Sequence, residues 1–333
     1  MTTLVTGAAG FIGFHVTKAL LGHGDQVIGI DDCNPYYDTR LKRARLDQLT
    51  SCSNFVFHEG DIADPTVLEG IVSAASDVTR VVHLAAQAGV RYSLSNPFSY
   101  VQANVQGHLA VIEAARRLPD CRHVVYASSS SVYGDNAVPF FEGDRVDQPR
   151  SVYAATKRSG ELISEVYAYL YGLPQTGLRL FTVYGPWGRP DMAYFGFADA
   201  IMLGRPITLF DGVFRDFTYI RDAVEGIIAV LASPPGGAQP HRVLNLGNSH
   251  PLPVTDLIRL LEDGLGKRAI IQFSERPKAD VRQTYASTEA IEQLAGFHAA
   301  TQLPDGIAAF IDWYRPWFER NGVSSGQPYA QPG

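Results

Sequence analysis

Tyr153 and Lys157 stand four residues apart in "SVYAATK", a spacing that sets both side chains on one face of a helix and within reach of each other. A free phenol titrates near ~10, too high for a base at neutral pH. A cation about 4 Å away, at an effective dielectric of ~20, favours the phenolate by roughly 4 kcal/mol. The pair therefore reads as a proton shuttle, with Tyr153 moving the proton and Lys157 supplying charge. Upstream, "ASSSSVYG" puts four hydroxyls, Ser128, Ser129, Ser130 and Ser131, in a row. Four are more than a turn needs and too polar for a buried strand end, unless a ligand uses them. Each string alone also admits a plain reading, as a helix-surface pair or as hydroxyls satisfying backbone groups at a strand end.

A third string offers a ligand a seat. "LVTGAAGFIGFHV" spaces Gly7, Gly10 and Gly13 three residues apart, directly after a β-branched run and at the opening of a helical one. Glycine permits the tight turn and the close approach of backbone to a pyrophosphate, and a helix N-terminus presents free N–H groups to it. The next strand run, "QVIGIDD", ends on Asp31, 18 residues after Gly13. A carboxylate there can take both hydroxyls of an adenosine ribose and repels a 2′-phosphate, which selects NAD over NADP. Asp61, in "EGDIAD" after a third strand run, is placed to reach the adenine edge. A positive nicotinamide adds its charge to that of Lys157 in lowering the phenol of Tyr153.

The elements that must carry these residues follow from the pattern. Runs such as "TLVTG", "QVIGID", "NFVFHEGDI", "RVVHLAA", "RHVVYASSS" and "TGLRLF" alternate with helical stretches at 11–21 and 101–117. That alternation predicts βαβ crossovers and an α/β fold with a Rossmann-type, doubly wound parallel sheet. After Tyr184 the chain turns rich in Gly, Pro and aromatics and reads as loops with one short helix, before "YIRDAVEGIIAVLAS" and "VLNLG" resume the pattern. The expected division is a Rossmann domain of 1–181 plus 217–250 and a smaller, interleaved C-terminal substrate-binding domain of 182–216 plus 251–322. Residues 234–240 read as a surface loop and 323–333 as a disordered tail.

The chain of 333 residues carries a net charge of −6 and no basic run, which argues against a nucleic-acid partner. Any anionic ligand must be met by a few placed arginines and by helix N-termini. Cys33, Cys52 and Cys121 lack CxxC spacing, which argues against a disulfide framework and a zinc site. The histidines form no HxxxH or HExxH group, His83 falls in a strand run that suits a core role, and no metal is expected. With no signal-peptide pattern and no apolar run near ~18 residues, the expectation is a soluble cytoplasmic protein with no membrane partner.

Taken together, the TGxxGxxG turn, the serine cluster and YxxxK resemble the extended short-chain dehydrogenase/reductase family, in its nucleotide-sugar (NAD-dependent epimerase/dehydratase) branch. Within it, "VTGAAGFIGFHV", "HLAAQAGVRYS", "ASSSSVYG", "SVYAATK" and "LFTVYGPWGRPDM" are most similar to UDP-glucuronate 4-epimerases, and the resemblance covers nearly the whole chain. It implies a catalytic triad of Ser129, Tyr153 and Lys157. It implies a tightly bound NAD, regenerated each cycle, against Gly7, Gly10, Phe11, Ile12, Gly13, Asp31 and Asp61. Ile62, Leu84, Ala85, Ala86, Asn104 and Ser128 complete that cofactor site, with Tyr153 and Lys157.

The implied reaction takes the C4 hydride of a UDP-sugar acid onto NAD and returns it to the other face of the 4-keto sugar. With a C6 carboxylate that sugar is a β-keto acid, prone to lose carbon dioxide, so the carboxylate must be held out of alignment by fixed donors. Ser128, Ser130 and Ser131, with Thr182 opposite, are the candidates for holding cofactor or carboxylate. Related 4,6-dehydratases place an Asp-Glu pair, and UDP-glucuronate decarboxylases a glutamate, where this chain has Ser130 and Ser131. UDP-galactose 4-epimerases commonly carry asparagine at the position of Thr182. By the same resemblance Arg215 meets the diphosphate and Arg189 sits on a loop closing over the nucleotide. "SERPKAD" adds Arg276 and, as a ribose partner, Asp280, while departing from the usual Pro-Gly-Asp; Arg91 faces substrate or the domain cleft. The helical strings at 98–118 and 151–172 carry apolar positions on more than one face, consistent with a homodimer through a four-helix interface. The alternatives are a neutral-sugar (UDP-glucose/UDP-galactose) 4-epimerase and a catalytically silent NAD-binding sensor.

Overall fold

In the computed structural model, which describes residues 1–323 other than Ser76 and Lys278, every β-branched run named above becomes a strand. The tail, from residue 324 onward, lies outside the described residues. The strands in chain order are β1 (Thr2–Thr6), β2 (Gln26–Asp31), β3 (Phe55–Glu59), β4 (Val78–His83), β5 (His123–Ser129), β6 (Gln175–Leu180), β7 (Thr182–Tyr184), β8 (Pro206–Phe210), β9 (Phe214–Tyr219), β10 (His241–Leu246), β11 (Pro251–Pro253) and β12 (Ile270–Ser274).

Seven of them form one sheet in the order β10-β6-β5-β4-β1-β2-β3, all neighbours parallel. Strand β1 is buried along its whole length, as expected of a strand covered by helices on both faces. The chain order reverses between β1 and β4, so their carboxyl ends open a crevice at a topological switch point. Gly7 follows β1, Asp31 ends β2, Ala85 follows β4, and Ser128 and Ser129 end β5, which collects the chemistry-bearing residues along one edge.

The remaining strands are smaller. β7, β9 and β11 make one three-stranded sheet and β8 pairs with β12 in parallel. Helices Ala193–Leu203, Val254–Leu265 and Leu303–Asn321 pack an aromatic core of Tyr194, Phe195, Phe310, Tyr314 and Trp317 beside them. Among the described residues, no helix is long and apolar enough to cross a membrane.

One helix departs from the sequence reading. The stretch expected as a single helix over 101–117 is a helix at Pro97–Val101, a π-turn at Gln102–Gln106 and a second helix at Gly107–Arg117. The wide turn carries Asn104 inward, where its amide donates to the Gln87 carbonyl at 3.0 Å and to the Thr156 hydroxyl at 3.0 Å. Its Oδ1 accepts the Gln87 N–H at 2.8 Å. Those bonds recompense the broken helical register, a frequent use of π-turns beside functional sites.

Asp199, on the helix Ala193–Leu203, is buried and accepts the Tyr314 hydroxyl at 2.6 Å. Burial pushes its carboxyl up to about 6. A carboxyl raised on folding adds stability that is full below its unfolded pKa of ~4 and lost as pH rises through the folded value. Asp199→Asn keeps the acceptor and removes the charge. It is expected to raise Tm at pH 8, by the equivalent of about 1 to 3 kcal/mol, with the gain shrinking toward pH 5. Thermal unfolding of both proteins at the two pH values checks this, and a gain independent of pH would contradict it.

Candidate active site

The glycine turn closes so tightly that nothing larger than hydrogen fits. A Cβ at Gly7, whose φ is +75°, would lie 2.7 Å from the Ala85 amide nitrogen, and one at Gly13 would lie 2.0 Å from the Gly7 carbonyl oxygen. The helix Phe11–Gly22 then starts at Gly10 with no side-chain cap, leaving its N–H groups open to a ligand. Phe11, Ile12, Ile62, Leu84, Ala85 and Ala86 line the same cleft. This bare, glycine-walled cradle fits the pyrophosphate of a dinucleotide.

Asp31 does more than the sequence assigned to it. Its carboxylate accepts the Ala9 N–H at 3.1 Å, the Cys33 N–H at 2.9 Å and the Lys42 ammonium at 3.2 Å, so it also fixes the turn. The Lys42 ammonium lies 3.8 Å from Asp32 as well, and the trio keeps one net negative charge on the cleft wall. Asp61 lines the cleft with Ile62 and accepts the Ala63 N–H at 2.8 Å. Lys42 was missed by sequence reasoning, although it falls on the face of the helix Thr39–Thr50 that also buries Leu41, Leu46 and Leu49.

At the other end of the cleft, β5 delivers the serines and the helix Val152–Tyr171 delivers Tyr153 and Lys157. Ser151 caps that helix by accepting the Ala154 N–H at 3.1 Å, which sets where its first turn begins. The Lys157 ammonium donates to the Ala127 carbonyl at 2.9 Å. The Ser129 hydroxyl donates to the Ser131 hydroxyl at 3.1 Å and accepts the Ser131 N–H at 3.2 Å.

Two surroundings here add to the sequence reading. Ser128 donates its proton to Glu161 at 2.5 Å, inside a buried network in which Arg179 holds both Glu161 oxygens at 2.9 Å. Its one O–H is thereby committed, so Ser128 can accept from a ligand but cannot serve as a donor to a carboxylate. The Ser129 proton is likewise given to Ser131, so of the serine row and Thr182 the hydroxyls left to donate from the cleft wall are Ser130, Ser131 and Thr182. The second concerns charge. Burial pushes the Tyr153 phenol up, and the Ser129 hydroxyl and the Arg189 guanidinium offset it. Lys157 is itself brought down to about 8, by burial first and Arg189 second.

Arg189 thus belongs to the catalytic end as well as to the nucleotide side. Its guanidinium is clamped by Asp191 at 3.0 and 2.8 Å, and Asp191 also takes the Tyr36 hydroxyl at 3.3 Å. Arg215 and Asp280 line the cleft 3.8 Å apart. Arg91 and Arg276 stand behind that wall and meet it through Asp280. Arg91 pairs with its carboxylate at 2.9 Å, and Arg276 donates to its backbone carbonyl. Asn104 likewise stays out of the cleft wall and braces Gln87 and Thr156, the neighbour of Lys157.

The shift on Lys157 has a measurable consequence. A lysine lowered on folding costs stability in full below pH 8, and the cost is relieved as pH climbs toward its ordinary value of ~10.4. Lys157→Met is expected to raise Tm at pH 7, by the equivalent of about 1 to 2 kcal/mol net of the lost hydrogen bond to Ala127. That advantage fades by pH 10; melting curves at both pH values test it, and a destabilised variant at pH 7 would refute it.

Comparison with known proteins gives the family. Residues 3–247 match the NAD dependent epimerase/dehydratase family. UDP-glucuronate 4-epimerase 2 of Arabidopsis thaliana is 46% identical over 338 residues, covering 97% of this chain and 77% of that protein. The crystal structure of a UDP-glucuronic acid 4-epimerase from Bacillus cereus, in complex with UDP-glucuronic acid and NAD, superposes with a TM-score of 0.88 at 34% identity, over 95% of this chain and 100% of that one. With a glycine cradle, a serine row and a Tyr-Lys pair meeting in one cleft, the chain belongs to the NAD dependent epimerase/dehydratase family.

Proposed function

We propose that this protein is an NAD-dependent UDP-glucuronate 4-epimerase, interconverting UDP-glucuronate and UDP-galacturonate at C4. The observation that carries the reading is the cleft wall of Ser129, Ser130, Ser131 and Thr182 facing the same space as Tyr153 and Arg189. Hydroxyls stand where an elimination or a decarboxylation needs acids, and they suit a substrate that brings its own carboxylate. Relatives and solved neighbours that bear the name UDP-glucuronate 4-epimerase support it.

Tyr153 takes the proton of the C4 hydroxyl and Ser129 steadies it; Lys157 and Arg189 supply positive charge nearby. When bound, NAD supplies the store for the C4 hydride, so nothing is oxidised over a full cycle. Ser130, Ser131 and Thr182 donate to the C6 carboxylate and keep the C5–C6 bond from aligning with the C4 carbonyl. Arg215 meets the diphosphate, and Asp280 orients Arg91 and Arg276 behind it.

Incubation with UDP-glucuronate and, in parallel, UDP-glucose, without added NAD and followed by NMR, tests the reading. The acid sugar alone is expected to give its C4 epimer, and Tyr153→Phe to lower that turnover about 10³-fold while keeping NAD bound. Equal conversion of UDP-glucose would remove the carboxylate role of the hydroxyls.

The chain is read as two interleaved units, 1–181 plus 217–250 holding NAD and 182–216 plus 251–322 holding the nucleotide sugar. The distribution of β1 to β6 and β10 in one sheet supports this, with β9 straddling the join. A cytoplasmic setting suits its nucleotide substrates and its three free cysteines. Phe98 at 84% exposure and Tyr169 at 70%, with Val101, Leu162, Val166 and Leu170, form an apolar face on neighbouring helices that supports a homodimer. Replacing Val166 and Leu170 together by glutamate is expected to yield monomers by light scattering; an unchanged dimer would place the interface elsewhere.

A further inference from the structure

Arg45 has no exposed surface, and among the described residues no carboxylate pairs with it. A buried guanidinium is tolerated in such a place only when its donors are filled. All five N–H groups of Arg45 are. Nη1 donates to the Ala9 carbonyl at 2.8 Å and to the Tyr37 hydroxyl at 2.7 Å. Nη2 donates to the Trp187 and Gly188 carbonyls at 2.6 and 2.9 Å, and Nε to Trp187 again at 3.1 Å.

Those oxygens join two functional segments. Ala9 lies inside the glycine turn, with its own N–H held by Asp31 at 3.1 Å. Trp187 and Gly188 immediately precede Arg189, and the Pro186 carbonyl before them accepts Nε2–H of His15 at 3.0 Å. Burial brings His15 down to about 4, so the imidazole is neutral and its Nε2–H is the donor. Three successive carbonyls of the loop are therefore fastened to the cofactor side of the molecule. The loop has little freedom to answer otherwise. Trp187 holds a φ of +60°, and a Cβ on Gly188 would fall 1.7 Å from the Tyr194 hydroxyl. Beyond it, Asp191 clamps Arg189 and returns to the loop after β2 through Tyr36, the neighbour of Tyr37.

We propose that Arg45 is a positioning residue that makes the placement of Arg189 at the catalytic end depend on the conformation of the cofactor-binding turn. The turn and the loop of residues 185–191 set as one unit, so a seated dinucleotide stiffens the segment that aims a guanidinium at Tyr153 and Lys157. The kinetic consequence rests on the epimerase reading above; the coupling itself does not.

Arg45→Lys keeps the charge but gathers its donors on one nitrogen, which cannot serve Ala9 and the Trp187 and Gly188 carbonyls together. The NAD-loaded and NAD-stripped proteins are compared by hydrogen exchange over residues 185–192, and kcat and KM for UDP-glucuronate are measured at saturating NAD. In the parent, NAD is expected to slow exchange in that segment. In Arg45→Lys the segment exchanges faster and ceases to respond to NAD, and kcat falls about 10- to 100-fold, the usual effect of a misplaced site group. On an Arg189→Gln background the same change lowers kcat less than about 2-fold, because the group it acts through is gone. A full additional drop on that background, or a parental kcat for Arg45→Lys at saturating NAD, would overturn the proposal. If Arg45→Lys does not fold, the parent alone decides it: equal exchange in 185–192 with and without NAD also overturns it. Absence of turnover with UDP-glucuronate in the parent would sink the substrate assignment while the exchange comparison still reads the coupling.

Discussion

The helix Val152–Tyr171 must bury an ammonium and a carboxylate, at Lys157 and Glu161, on the face that turns the half-buried phenol of Tyr153 to the cleft, and much of the site follows from how that burden is met. The end of β5 meets it residue by residue. Ala127 gives its carbonyl to Lys157, Ser128 gives its proton to Glu161, and Ser129 lies beside Tyr153. Glu161 keeps its charge because Arg179, from β6, forks onto it from the next strand. An ion pair of this kind adds little stability over an apolar pair, yet breaking it would leave one charge stranded, so it holds strand and helix in a single arrangement. The spacing of the serine row relative to the phenol is a product of that arrangement.

What the sequence disclosed was the chemistry written in local spacing. Gly7, Gly10 and Gly13, the Asp31 that ends β2, and Tyr153 with Lys157 each depend on neighbours within one turn or one strand, and the sheet follows from the repeated alternation of runs. What it concealed were charges turned inward. Lys42, Arg45, Glu161 and Arg179 look like ordinary surface charge in a linear reading, because partners that bury them lie far along the chain, as Asp31 for Lys42 at 11 residues, Gly188 for Arg45 at 143 and Arg179 for Glu161 at 18. The helical period did hold a trace: Lys42 and Arg45 share the buried face of Leu41, Leu46 and Leu49. The bond from Ser128 to Glu161 was hidden for the same reason, since its acceptor is 33 residues downstream. The π-turn at Asn104 had no local signal at all, because the bonds that stabilise it run to Gln87 and Thr156.

The direction of the hydroxyl bonds bears on which sugar the site suits. Ser129 gives its proton to Ser131, so the Ser131 hydroxyl, already accepting, has its own proton free for a ligand. A carboxylate can only accept, and it completes that chain in one sense, with each bond polarising the next. A neutral hydroxymethyl group both donates and accepts, so it permits either sense and leaves the Ser129 proton undetermined. Because Ser129 also lies beside Tyr153, an acceptor held by Ser131, as proposed above, would reach the site of proton transfer through Ser129. In that sense Ser129 turns a lone pair and not its proton toward Tyr153, so with Ser131 bound to an acceptor as proposed above, Ser129 can take the phenol's proton in a hydrogen bond and Arg189 is the group left to favour the phenolate.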